Sequence, residues 1–163
     1  MDVIPCAVGG VVASIGAIVI AFMVYFFRDP ERQSPSDPLA IMAGGEDAAI
    51  DAAAPIFAAL GRETHRTGAL GSGHAMKALN NLVSAAGFLV SVEALLIGSR
   101  FGLDPAVMVD VLNASTGMNN STQKKLKQFV LSRGFDSGFA LDLMVKDLSI
   151  ALQVGRETAT PAP

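Results

Sequence analysis

From Val3 to Phe27 the chain carries no charged residue and shows no polar face. The run exceeds the roughly 20 residues a helix needs to cross a bilayer. It closes on Phe22, Tyr25, Phe26 and Phe27, followed by Arg28 and Arg32. That is the order of an interfacial aromatic belt and a cytoplasmic basic anchor, which predicts a membrane helix over residues 3–27 with the rest of the chain in the cytoplasm. A cleaved signal peptide fits less well, because Met1-Asp2 offers no basic start and the apolar run is too long. Residues 28–38 are polar and proline-rich and read as a linker.

Beyond the linker the pattern changes. Leu39-Ala-Ile-Met-Ala43 is a short apolar run stopped by Gly44-Gly45, a strand signal. Glu46 to Leu60 is alanine-rich with acids in its first turn, as a helix start prefers, and Pro55 inside it predicts a kink. Arg62 to Thr67 reads as one more short strand ending at Gly68. From about His74 to Arg100 there is no proline, and apolar residues occupy nearly every face. A helix of that length spans roughly 40 Å, and one apolar all round is enclosed by other helices or by a second subunit. Asp104-Pro105 supplies an N-cap and a first-turn proline for a helix to about Ala114. A further helix is expected over about Asn120–Ser132 and another over about Ala140–Glu157. The fold class is therefore mostly α, built around one long helix and preceded by a small α/β portion.

Composition narrows the chemistry. The chain has 163 residues and a net charge of −3, which gives no footing for nucleic acid. The basic cluster Lys124, Lys125 and Lys127 falls on one predicted helix, where such runs are usually a solvated face. Cys6 is the only cysteine, so an intramolecular disulfide and CxxC chemistry are excluded. His65 and His74 lie among glycines and away from clustered carboxylates, so no metal site is expected.

The informative stretch is Gly68-x-x-Gly71-x-Gly73-x-x-x-Lys77-x-x-x-Asn81. Three glycines before a helix let the backbone come close to another chain segment or to a ligand. Lys77 and Asn81 are four apart and share one helix face. A lysine with a neighbouring amide can hold a small anion or, if burial lowers its pKa, shuttle a proton to an alcohol oxygen. Spacing alone favours the plainer reading, a first-turn lysine reaching solvent beside capping residues. Gly71 and Gly73 also begin a GxGxxG pattern, but Met76 fills its third position and no acid follows about twenty residues on. It is not a dinucleotide fingerprint.

The same stretch resembles the catalytic signature of the β-hydroxyacid dehydrogenases, the 3-hydroxyisobutyrate dehydrogenase family. Leu39 through Gly45 resembles the end of that family's nucleotide-binding sheet. Glu93-Ala-Leu and Gly102-Leu-Asp-Pro105 resemble its middle helices, and Phe139 through Met144-Val-Lys146-Asp147-Leu148 its later substrate and cofactor wall. Four motifs in order carry the resemblance across residues 39–163. After the hydrophobic segment and linker at 1–38, it implies a remnant of the nucleotide-binding α/β domain at 39–67 and a helical substrate and dimerisation domain at 68–163.

The resemblance further implies NAD or NADP as cofactor, a small hydroxy acid as substrate, and self-association through the long helix. Lys77 takes the position of the proton donor and acceptor, and Asn81 that of the amide which positions Lys77 and binds the substrate. Phe139 would close over the substrate, Lys146 would reach the cofactor, and Asp147 would help order the substrate wall. Their plainer readings are core packing for Phe139 and an exposed pair on an amphipathic helix for Lys146 and Asp147. Residues 1–38 match nothing in the family's fingerprint-bearing half, and Pro161-Ala-Pro163 falls where the family continues into further helix. Little activity is therefore expected of this polypeptide alone, with a non-catalytic helical association module as the rival reading. Two accounts of residues 1–38 compete, a membrane anchor and a displaced start upstream of Leu39. The second is favoured because the family's sheet is cut in mid-strand.

Overall fold

The structure, a computed structural model, describes residues 40–61 and 63–160. The membrane helix expected over 3–27 and the linker at 28–38 lie outside the described residues. The described residues fall into two compact units, one ending at Lys77 and the other beginning at Ala78. The division lies inside a single unbroken helix.

The first unit is a strand–helix–strand arrangement. Strand β1 (Ala40–Gly44) pairs in parallel with β2 (Glu63–Gly68), and helix α1 (Asp47–Leu60) connects them. Ile41 and Ala43, two apart on β1, point to the same face. They meet Ile50, Ala53 and Phe57, spaced by three and four on α1, to form one small buried cluster. Pro55 lies within α1, and the helix continues through it to Leu60. Arg66 on β2 ties α1 down through ion pairs to Asp47, at 2.9 Å, and to Asp51. The Asp51 and Asp47 carboxylates hold the Arg66 guanidinium above its usual pKa.

The pairing register slips between Ala43 and Gly44, so that Ala43 faces Arg66 whereas Gly44 faces Gly68. Thr67 is the extra residue of this bulge. Its hydroxyl donates to the Ala43 carbonyl at 3.0 Å.

Helix α2 (Ser72–Phe101) is the 30-residue spine anticipated from the apolar run. At about 1.5 Å per residue it extends roughly 45 Å. Among the described residues it is the one helix long and apolar enough to cross a membrane, by length and composition.

In the second unit the side of α2 that is covered carries small and polar residues around Leu95. Asn81, Ser91, Leu95 and Gly98 are buried. A Cβ on Gly98 would collide with the end of the Met108 side chain. Helix α3 (Pro105–Asn113) starts as expected, with the Asp104 carboxylate accepting from the Ala106 and Val107 amides at 2.7 and 3.1 Å. Helix α4 (Asn120–Lys124) is capped by Asn119, whose side-chain oxygen accepts from Ser121 N and Thr122 N while Thr122 Oγ1 accepts from Asn119 N. The Asn119 amide also donates to Ser91 Oγ on α2 at 3.0 Å. Leu95, Val109 and Leu126 form the core, with Phe88, Val92, Met108, Val130 and Leu131 packed against it.

The continuous helix expected over Asn120–Ser132 is not one α-helix. It changes at Lys125 into a π-helical segment, Leu126–Leu131. The wider turn with i→i+5 hydrogen bonds brings Leu131 closer to the side of Leu126, where it packs against the core that Leu126 joins. Lys125, at the junction, is half-buried rather than solvated, and burial pushes its ammonium pKa down. After a loop, helix α5 (Leu141–Glu157) closes the unit, with Asp147 and Ala151 buried.

Candidate functional site

The glycine-rich stretch before α2 is built first by the backbone. Gly68 and Gly71 have φ of +115° and +91°, the left-handed side that glycine adopts without penalty. Gly44 and Gly73 meet a different demand. A Cβ on Gly73 would lie 2.5 Å from the Met42 carbonyl oxygen, and one on Gly44 would lie 2.8 Å from Gly73 N. The first turn of α2 therefore lies directly on the end of β1. Thr67 reinforces the junction: its proton is used on Ala43, so Ser72 must donate to Thr67 Oγ1 across 2.8 Å. The glycines let chain approach chain. The space a pyrophosphate would need beside Gly73 is filled by the protein's own carbonyl.

Lys77 follows on the second turn of α2, half-buried. It is the last residue of the first unit, whereas Asn81 belongs to the second. Helical periodicity sets the two on one face, one turn apart.

Within the second unit α2 and α5 bring three of the expected residues together. The Asn81 side chain, 5 % exposed, donates through Nδ2 to Asp147 Oδ2 at 2.6 Å. The Lys146 ammonium pairs with the other carboxylate oxygen, Oδ1, at 2.7 Å. Neighbouring residues on a helix do not normally face each other, and the length of the lysine side chain makes this pairing reachable. The Lys146 side chain is 57 % exposed and that of Asp147 only 2 %. The plainer expectation of an exposed pair thus holds for Lys146 and fails for Asp147. Asn80 Nδ2 approaches Asn81 Oδ1 at 3.3 Å, a long contact. Phe139 lies half-buried just ahead of α5.

Chemically the arrangement is a buried carboxylate held between an amide and an ammonium. A buried carboxylate is tolerated only when paired and hydrogen-bonded, and here each oxygen has such a partner. The coupling of Asn81 to Asp147 spans 66 positions, and no local spacing signals it.

A family model described as the NAD-binding domain of NADP-dependent 3-hydroxyisobutyrate dehydrogenase matches residues 71–163. The chain is 34 % identical over 125 residues to 2-(hydroxymethyl)glutarate dehydrogenase of Eubacterium barkeri, covering 77 % of this chain and 42 % of that protein. It is 35 % identical over 131 residues to a probable mitochondrial 3-hydroxyisobutyrate dehydrogenase of Arabidopsis thaliana, covering 77 % and 38 %. Among solved structures, the Mycobacterium tuberculosis 3-hydroxyisobutyrate dehydrogenase with L-serine superposes with a TM-score of 0.68 at 28 % identity, over 76 % of this chain and 45 % of that one. The chain spans about two fifths of the length of the curated relatives it matches.

Proposed function

The chain belongs to the 3-hydroxyisobutyrate dehydrogenase family, and from that premise we propose that it supplies the acid/base half of an NAD(P)-dependent hydroxy acid dehydrogenase. The observation that carries the reading is the Asn81–Asp147–Lys146 constellation that α2 and α5 build within the second unit. The compounds named in the relatives and in the solved complex have chemistry in common. 3-Hydroxyisobutyrate, 2-(hydroxymethyl)glutarate and L-serine each carry a hydroxyl on the carbon β to a carboxylate. The proposed substrate class is therefore a small β-hydroxy acid and its semialdehyde.

In this reading Lys77 gives a proton to the carbonyl oxygen during reduction and takes it back in oxidation, with Asn81 positioning its ammonium. Phe139 covers the substrate and helps exclude water. Lys146, whose ammonium is both exposed and anchored, is the residue suited to holding a polar or anionic part of the cofactor. The nicotinamide, when bound, supplies the hydride. At Gly73 the approach is already occupied by the Met42 carbonyl and the Gly44 amide, so a cofactor phosphate is not held there.

Titrating the full chain with NADPH and following nicotinamide fluorescence tests the proposal. Saturable enhancement that Lys146→Ala weakens supports it. A chain that leaves NADPH fluorescence unchanged up to millimolar cofactor would exclude it.

A second reading rests on the open side of α2, where Val83, Leu89, Val90, Leu96 and Ile97 are exposed, Val83 and Ile97 by 73 % and 70 %. A contiguous apolar face of this kind marks an interaction surface. Self-association through it serves the enzyme, and it would also be the whole function of a chain that binds no cofactor. Sedimentation equilibrium is expected to give a dimer or larger assembly, and Val83→Glu with Ile97→Glu to shift it to monomer. A wild-type chain that is monomeric at 100-fold dilution and at high concentration alike would remove this role.

A further inference from the structure

Resting on that reading of the site, we propose that Asp147 is a positioning residue, not part of the surface that touches substrate. At 2 % exposure with Oδ2 on Asn81 and Oδ1 on Lys146, its carboxylate is turned into the protein. A substrate carboxylate would also be repelled by it.

What it does instead follows from the chemistry of Asn81 and Lys146. A carboxamide has two orientations, related by a half-turn, that present either NH2 or C=O to a neighbour. An ionised carboxylate only accepts, so it admits the NH2 and rejects the carbonyl. Asp147 therefore fixes Asn81 with Nδ2 inward, and Asn81 Oδ1 becomes an acceptor of set direction, which Asn80 Nδ2 approaches at 3.3 Å. The same carboxylate restrains Lys146, a side chain with many rotamers and an exposed end. One buried charge thus orders an amide on α2 and an ammonium on α5.

The test separates orientation from mere structure by exchanging the two side chains. Asp147→Asn alone is expected to speed hydrogen exchange of the Asn81 carboxamide protons, followed by NMR, and to raise the Kd for NADPH. Each change should be about tenfold, the scale of one charge-assisted hydrogen bond. The double variant Asn81→Asp with Asp147→Asn restores an amide–carboxylate bond with donor and acceptor reversed. It should recover Tm and slow carboxamide exchange while the Kd for NADPH stays raised. Recovery of the wild-type Kd along with Tm would show that Asp147 is only structural and overturn the proposal, as would a single variant with unchanged exchange. If Asp147→Asn fails to fold, the exchanged pair and Asp147→Glu carry the same comparison. Should the wild-type chain bind no NADPH, the dehydrogenase reading fails, while the Asn81 exchange rate still decides whether Asp147 orients the amide.

Discussion

Gly73→Ala is expected to destabilise the first unit by about 3 kcal/mol, the upper range for overpacking a filled site. The sign is opposite to the usual one, since alanine exceeds glycine in helix propensity by roughly 1 kcal/mol. The reason is what the new methyl meets. It would lie 2.5 Å from the Met42 carbonyl oxygen and 3.3 Å from Gly44 N, both backbone atoms that no rotamer change can move. Relief requires the first turn of α2 to lift from β1, which also disturbs the Thr67–Ser72 hydrogen bond. Gly87→Ala in the same helix is the control. Its Cβ would meet Asn119 side-chain atoms at 3.6 Å, ordinary contact, so this change should stabilise by roughly 0.5–1 kcal/mol. Thermal melts of the two variants beside wild type decide the matter, and equal shifts would mean that the Gly73 contact is not tight in solution.

Whatever NADPH-dependent reduction of a small semialdehyde acid the chain supports should fall in Lys77→Ala by a factor of about 10²–10⁴, the usual contribution of a positioned general acid. NADPH affinity should change little, because in the proposed arrangement Lys146 contacts the cofactor and Lys77 the reacting oxygen. The effect then falls on kcat and on kcat/KM together, the pattern of a group that acts in the transition state. Lys77→Arg should not rescue it, since a guanidinium keeps its proton at any working pH. A Lys77→Ala variant that retained wild-type turnover would assign the proton transfer to another group.

Much of the fold is visible in local patterns. The Asp104-Pro105 start, the glycine stops around β1 and the length of α2 all depend on neighbours within a few residues, and the structure places them within one or two positions of expectation. The change to π geometry after Lys125 is not visible this way. Leu126, Phe129, Val130 and Leu131 suit a 3.6-residue stripe as well as a wider turn, and the choice is made by packing against Leu95 and Val109. The glycine motif was ambiguous for a different reason. Sequence shows that close approach is needed but not what approaches, and only the Met42 carbonyl resolves it in favour of the chain itself. Burial of Asp147 was hidden in the same manner. A Lys-Asp pair on a helix is normally solvated, and Asn81, 66 residues away, is what makes the inward position tenable. The long helix was expected to be enclosed, yet Val83 and Ile97 remain open within one chain, so its composition reports a surface beyond the chain's own packing.

The contact between Gly73 and the end of β1 has a kinetic consequence. Starting an α-helix is the costly step, with an initiation constant on the order of 10⁻³, whereas extending one is nearly free. The strand–helix–strand unit supplies a template for that first turn: the bulge at Thr67 receives Ser72, and the two glycines seat the backbone. During synthesis this template is complete once residue 77 has emerged. The remaining turns of α2 can then propagate in order from a nucleus already in place, so the apolar length need not find helical geometry by itself.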